Sequence, residues 1–186
     1  MWHKWTFALI IAAFSCTFAD AQVVALKNNL LMDGMASPNL GIELRAGART
    51  TIDIPTSLNF WNFSDKKKFK HFAIQPEFRW WICAPFTGHF FGIHAHYSYY
   101  NVGGLEPFKA IKNNRYEGWL AGAGISYGYN WILSSHWSLE ATIGAGYAYM
   151  DYDKYPCGKC QPSSKHDTKH YFGPTRAAIS LIYIIK

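Results

Sequence analysis

Residues 119–131 read WLAGAGISYGYNW, and their side chains alternate between two kinds. Odd-numbered positions are apolar or aromatic, whereas even-numbered positions are glycine, serine or asparagine apart from Leu120. Because successive side chains of a β-strand point to opposite faces, this period of two predicts a strand. A soluble sandwich would bury the apolar face, but the aromatic ends (Trp119, Tyr129 and Trp131) are typical of the two interfaces of a bilayer. The stretch therefore predicts a membrane-barrel strand with its apolar face toward lipid and its small face toward a narrow lumen.

Other segments show the same alternation, and the connections between them are alternately short and long. The longer connections are residues 61–70, 101–116 and 151–170. This pattern is typical of an outer-membrane barrel with short periplasmic turns and long outer loops. We therefore predict an all-β fold, a single up-and-down antiparallel transmembrane β-barrel of about eight strands. The predicted strands are Val23–Met32, Asn39–Gly47, Thr50–Phe60, His71–Ile82, His89–Tyr100, Glu117–Ile132, Trp137–Met150 and Tyr171–Ile185.

The first 21 residues have the organisation of a secretory signal peptide. A short basic start is followed by an apolar core and by Ala19-Asp20-Ala21, a small-x-small cleavage motif. The apolar run is too short for a spanning helix. We therefore expect residues 1–21 to be a cleaved signal, residues 22–186 to form one barrel domain, and the protein to reside in the outer membrane.

Eight charged residues within the predicted strands fall on the parity that faces the lumen. Arg or Lys facing lipid near the bilayer midplane costs about 2–4 kcal/mol, so a barrel requires this arrangement. An eight-stranded barrel is just wide enough for side chains to fill it. A hydrogen-bonded polar network is therefore predicted, with a proton relay or transport path as the alternative. Its members are Lys27, Glu43, Arg45, Asp53, Glu77, Arg79, Glu140 and Arg176, with Gln75, His94 and His96 as further polar fill.

The three long loops carry the whole net charge of +6, with 11 basic and five acidic residues. The densest basic group is Lys66, Lys67, Lys68 and Lys70 in the first of them. On the outer side of the membrane these lysines could contact lipopolysaccharide phosphates. The alternative is a solvated loop without a ligand. Because the chain is predicted to be exported, its high pI does not indicate nucleic-acid binding.

Cys157 and Cys160 are separated by two residues in the last long loop. In an exported protein this spacing favours a disulfide that closes a tight ring. The alternative is a tetrahedral metal site completed by His166 and His170. Cys83, near a predicted short turn, is expected to be a free thiol. No cofactor is expected.

Six short sequence blocks are distributed along the chain. They start at Pro38 (PNLGIE), Trp61 (WNFSD), Gln75 (QPEFR), Tyr100 (YNVGG), Tyr116 (YEGW) and Tyr171 (YFGPT). With these blocks the chain resembles a family of small Bacteroidetes outer-membrane barrel proteins that is classed as a domain of unknown function. The resemblance covers nearly the whole chain after the signal. It implies a small outer-membrane barrel, sometimes encoded near fimbrial assembly genes, and it implies no catalytic residue.

The function that these features predict is non-enzymatic: a structural, anchoring or accessory role in an envelope or fimbria-linked assembly. A lipid hydrolase or acyltransferase is the first alternative, since Ser64, His71, Ser98, His136 and His170 could supply a Ser-His pair. The second is a barrel that binds lipopolysaccharide or a small ligand. A diffusive porin is disfavoured because the lumen should be full.

Overall fold

A computed structural model describes residues 23–64, 67–103, 114–156 and 165–185. The predicted signal, residues 1–21, lies outside these ranges. The described chain forms strands and one single-turn helix, and none of its helices is long and apolar enough to cross a membrane. The elements are β1 (Val24–Asn29), α1 (Leu30–Gly34), β2 (Asn39–Arg45), β3 (Thr50–Asn59), β4 (Asn62–Ser64), β5 (Lys67–Ile74), β6 (Glu77–Trp81), β7 (Gly88–Gly103), β8 (Asn114–Ile132), β9 (Trp137–Pro156) and β10 (Lys165–Ile185).

The strands close into a barrel in which all neighbours are antiparallel. β1 pairs with β2 on one side and with β10 on the other, from Val24↔Ile185 to Asn29↔Ser180. β5 and β6 together occupy one barrel position, because both lie between β3 and β7. Eight barrel positions result, and β4 is an additional strand paired with β5. The predicted all-β, up-and-down antiparallel barrel of eight strands is confirmed.

Two predicted strands are interrupted. The first ends at Asn29 instead of Met32, because the Asn29 side chain accepts a hydrogen bond from Leu31 N (3.1 Å) and caps α1. The fourth breaks at Gln75 and Pro76, since proline has no N–H to donate to a neighbouring strand. The alternation of side chains predicted the positions of both strands, but it did not predict the end of β1 at Asn29 or the break between β5 and β6.

The predicted outer loops are shorter than expected, because β7–β10 continue beyond the predicted ends. The predicted loop at residues 151–170 includes the end of β9 and the start of β10, which pair from Lys154↔Lys165 onward. β8, β9 and β10 have 19 to 21 residues, whereas β1 and β2 have six and seven. The barrel wall is therefore tall at β8–β10 and short at β1–β2.

The outward face is apolar over a broad band. Ile93, Ile125 and Ile143 lie near its middle and are 67–68% exposed. Aromatic residues border it, with Trp119 toward the long loops and Trp131 toward the short turns. This band of exposed apolar residues between the levels of Trp119 and Trp131 is called the outer belt below.

The lumen is closed by apolar side chains at the end that holds the short turns. The rings of Trp81 and Phe90 are 4.7 Å apart, and Phe86 lies 5.9 Å from Trp81. Ala25, Phe86 and Ile182 form one buried cluster beside them. These five residues are called the apolar plug below. The plug was not predicted from the sequence, although Trp81 and Phe90 occupy the inward parity of their strands.

Candidate functional site

Above the apolar plug, the barrel wall brings charged side chains from six strands into one network. Every member is at most 8% exposed. The network holds three cations and four carboxylates, all predicted from their parity. Its members are Lys27, Glu43, Asp53, Glu77, Arg79, Glu140 and Arg176.

Arg79 lies at the centre of this network and contacts all four carboxylates. Its Nη1 donates to Glu43 Oε2 and to Glu140 Oε2, each at 2.9 Å. Its Nη2 lies 2.7 Å from Asp53 Oδ2, and its Nε donates to Glu77 Oε2. A guanidinium group presents several donors in one plane, which suits a centre shared by four acids.

Lys27 and Arg176 supply the other two positive charges. Lys27 Nζ donates to Glu43 Oε2 at 2.9 Å, to Glu140 Oε1 at 2.8 Å and to Asp53 Oδ2 at 3.5 Å. Arg176 Nη2 donates to Asp53 Oδ2 at 2.9 Å. Because each carboxylate has at least one cationic partner, the cost of burying these charges is offset by ion pairs and hydrogen bonds.

Neutral donors connect the charged network to the apolar plug. Trp81 Nε1 donates to Thr51 Oγ1 at 2.9 Å, and Thr51 Oγ1 donates to Glu43 Oε1 at 2.5 Å. The largest aromatic residue of the plug is therefore fixed by the network above it. Plug and network form one continuous filling of the lower lumen.

Gly92 leaves the space that the Glu77 side chain occupies. A Cβ at position 92 would lie 2.6 Å from Glu77 Oε1 and 2.5 Å from Ser126 Oγ, which donates to that carboxylate oxygen. Such distances are too short for a carbon atom, so the absence of a side chain at Gly92 is needed for this contact.

Gln75, His94 and His96, which the sequence suggested as further polar fill of the lumen, lie above the charged network. His94 Nε2 shares a hydrogen bond with Thr175 Oγ1 at 2.9 Å, and Gln75 Nε2 donates to Thr175 O at 3.1 Å. His96 is half-buried, with its ring 5.8 Å from that of His94. Thr175, which was not predicted as a site residue, connects two of these side chains to β10.

Arg45 does not belong to the network, and this part of the prediction is wrong. It has the inward parity of β2, but it is exposed and its Nε donates to Gly47 O at 3.1 Å. Arg45 is the last residue of β2, where the long side chain can bend into the turn and stay hydrated. Parity alone does not indicate how far along the barrel axis a residue lies.

The predicted basic loop is largely part of a strand. Lys67, Lys68 and Lys70 belong to β5, and Lys70 is half-buried. Lys66 lies outside the described residues. The prediction of a loop through residue 70 is therefore wrong, because a short hairpin of β4 and β5 occupies it.

The predicted cysteine pair, Cys157 and Cys160, also lies outside the described residues. His166 is exposed, with Nδ1 3.2 Å from Asp153 Oδ1, and His170 Nδ1 is 2.5 Å from Tyr147 Oη. Across the described ranges, no three His, Cys, Asp or Glu side chains are placed to hold a metal ion.

Cys83 is exposed in the turn between β6 and β7 and is free among the described residues.

Two of the histidines considered for a Ser-His pair lie near a serine. His71 Nε2 is 3.4 Å from Ser57 Oγ, and His136 Nδ1 is 2.9 Å from Ser135 Oγ in an exposed turn. Neither serine was among those considered from the sequence. Within the described part of the chain, no carboxylate forms a hydrogen bond with His71 or His136, so the acidic third member of a hydrolase triad is absent there.

Comparison with known proteins gives one family. The family model described as "Protein of unknown function (DUF3575)" matches residues 6–185. The chain belongs to this family. Membership of an uncharacterised family, predicted from the sequence blocks, is confirmed, and the DUF3575 description assigns no activity. No curated protein matches the chain.

Proposed function

We propose that this DUF3575 chain is a non-enzymatic outer-membrane barrel with a structural, anchoring or accessory role in the cell envelope. The observation that carries the proposal is the outer belt combined with the inward placement of the strand charges. Large apolar side chains on a monomer are rarely exposed in so broad a band unless another apolar phase covers them. A bilayer is the phase that covers a barrel on all sides.

The dimensions of the outer belt support a bilayer as this phase. Trp119 and Trp131 are 12 residues apart in β8. At about 3.4 Å per residue and a tilt of about 45°, they are separated by roughly 29 Å along the barrel axis. The apolar band of outer-membrane barrels is about 25 Å tall and flanked by aromatic girdles. The two tryptophans therefore suit the two interfaces.

The filled lower lumen favours anchoring over conduction. The apolar plug closes one end, and the network above it leaves the central cross-section occupied by ion-paired side chains. The tall wall at β8–β10 extends beyond the outer belt at the other end, where a partner in the envelope can be contacted. The proposal has two further parts. The sequence resemblance supports a Bacteroidetes source and a link to fimbrial assembly. The positive charge of the lysines at residues 66–70 supports contact with lipopolysaccharide.

A non-enzymatic role is supported by the state of the polar side chains. The buried acids and bases hold one another in ion pairs, and the Ser57–His71 contact is long for a reactive pair. Ser135 and His136 are within hydrogen-bond distance, but they lie in an exposed turn, and no carboxylate of the described residues bonds to His136. A lipid hydrolase remains the alternative outcome, detectable as release of fatty acid from outer-membrane lipid by the purified protein.

Fractionation of cells that express the full chain tests the proposal. We expect the protein in the outer-membrane fraction, shortened by removal of its signal. It should migrate faster in an unboiled gel sample than in a boiled one, because a closed barrel resists detergent until heated. Recovery as a soluble periplasmic monomer would contradict the proposal. If the protein is found in the outer membrane, its partner can be identified by isolating the protein from native outer membranes and analysing the co-purified envelope proteins by mass spectrometry.

A further inference from the structure

The part of the lumen above the charged network contains a cavity of about 120 Å³. Neither the charged network nor the outer belt accounts for the function of this cavity. It lies between β1, β2, β3, β5 and β10, at the level where the short wall ends. Lys27, Asp53 and Arg176 of the network line it from below, and Ala73 and Ala178 form part of its sides. Met32 of α1 is half-buried and lines it at the end of the short wall.

Two of the buried side chains that line this cavity have polar atoms without a hydrogen-bond partner among the described residues. Asp53 is fully buried, and its Oδ1 has no hydrogen-bond partner in the described part of the chain, although its Oδ2 is shared by several cations. Arg176, 8% exposed, has no partner for Nε or Nη1 among the described residues. A buried polar atom without a partner costs about 1–3 kcal/mol, so a molecule in the cavity that supplies both a donor and an acceptor would stabilise the protein.

The charges around the cavity select against an ion of either sign. The charge of Lys27 is balanced by its ion pairs with Glu43 and Glu140. An anion in the cavity would meet Asp53, and a cation would meet Lys27 and Arg176. An uncharged hydroxyl group can donate to Asp53 Oδ1 and accept from Arg176 Nη1 without a net charge of its own. The volume corresponds to about four water molecules at roughly 30 Å³ each, which suits a diol of two or three carbons.

We propose that this cavity is a binding site for a small uncharged diol, either a free polyol or the glycerol end of an amphiphile. The site is reached beside α1, where the wall made by β1 and β2 ends. Leu30 and Leu31 of α1 are 44% and 42% exposed there, so an alkyl chain attached to the glycerol would find apolar surface next to the cavity.

Saturation-transfer NMR on the full mature barrel in perdeuterated detergent tests this site. Ethylene glycol and glycerol should bind saturably, with dissociation constants on the order of 1 mM, and should compete with each other. Formate and methylammonium, similar in size but charged, should not compete. If octylglycerol displaces glycerol at lower concentration than free glycerol does, the source is an amphiphile; if it does not, the source is a free polyol.

Cavity-filling variants locate the binding. Ala73→Leu and, as a milder change, Ala178→Val should weaken diol binding at least about tenfold, whereas Ala123→Leu on the exposed outer face should not. Faster migration of unboiled samples checks that each variant is a closed barrel. Three results would each overturn the proposal. They are competition by formate or methylammonium, equal diol binding by the cavity-filled variants, and no saturable binding of either diol. The third result would mean that the cavity holds only water.

Discussion

Arg79 and Arg45 show what side-chain parity can and cannot predict at the scale of one residue. Both lie on the inward parity of strands that pair with β3, yet Arg79 contacts four carboxylates and Arg45 bonds to the turn after β2. The alternation predicts which face a side chain occupies. Its depth depends on strand ends and register, which are set by contacts between strands far apart in the chain.

The two arginines therefore give a matched pair of variants. Arg79→Met removes a buried charge at the centre of four acids, and we expect a loss of about 3–5 kcal/mol in the free energy of unfolding. Arg45→Met changes an exposed side chain and should alter it by less than about 0.5 kcal/mol. Urea titration of the barrel in lipid vesicles measures both. Similar losses for the two variants would show that Arg79 is not the centre of a buried network.

At the scale of elements, the sequence predicted where the strands lie better than where they end. Alternation continues through Leu30 and Met32, but the capping side chain of Asn29 stabilises a helical turn instead. In the other direction, Asp151 and Asp153 indicated a loop, although β9 continues through them because β8 and β10 extend alongside. Charged residues are compatible with a strand that extends beyond the outer belt, where water solvates its outward face.

The connection between β9 and β10 carries the remaining element-scale prediction. Cys157 and Cys160 should be joined in the native protein, because export exposes the thiols to oxidising conditions. The ring is small, so reduction should loosen this connection without opening the barrel. Alkylation of unreduced protein, with metal analysis in parallel, measures the outcome. Two free thiols with one equivalent of zinc would instead favour the alternative site with His166 and His170.

At the scale of the whole molecule, the features combine into a barrel that is apolar outside, ion-paired inside and uneven in height. The outer belt and the inward charges were predictable, because both follow from a period of two in the sequence. The apolar plug and the cavity beside α1 were not, since both depend on side chains from distant strands meeting in the lumen. Together these features support an anchored protein whose tall wall at β8–β10 is available to a partner.

The central claim, that the outer belt faces lipid, is tested most directly by arginine substitutions at two depths of β8. Ile125 lies midway between Trp119 and Trp131, and Glu117 lies beyond the belt. In lipid vesicles, Ile125→Arg should lower the free energy of unfolding by about 2–4 kcal/mol relative to Ile125→Ala. Glu117→Arg should lower it by about 0–1 kcal/mol relative to Glu117→Ala. Equal effects at both positions would contradict a membrane-spanning barrel.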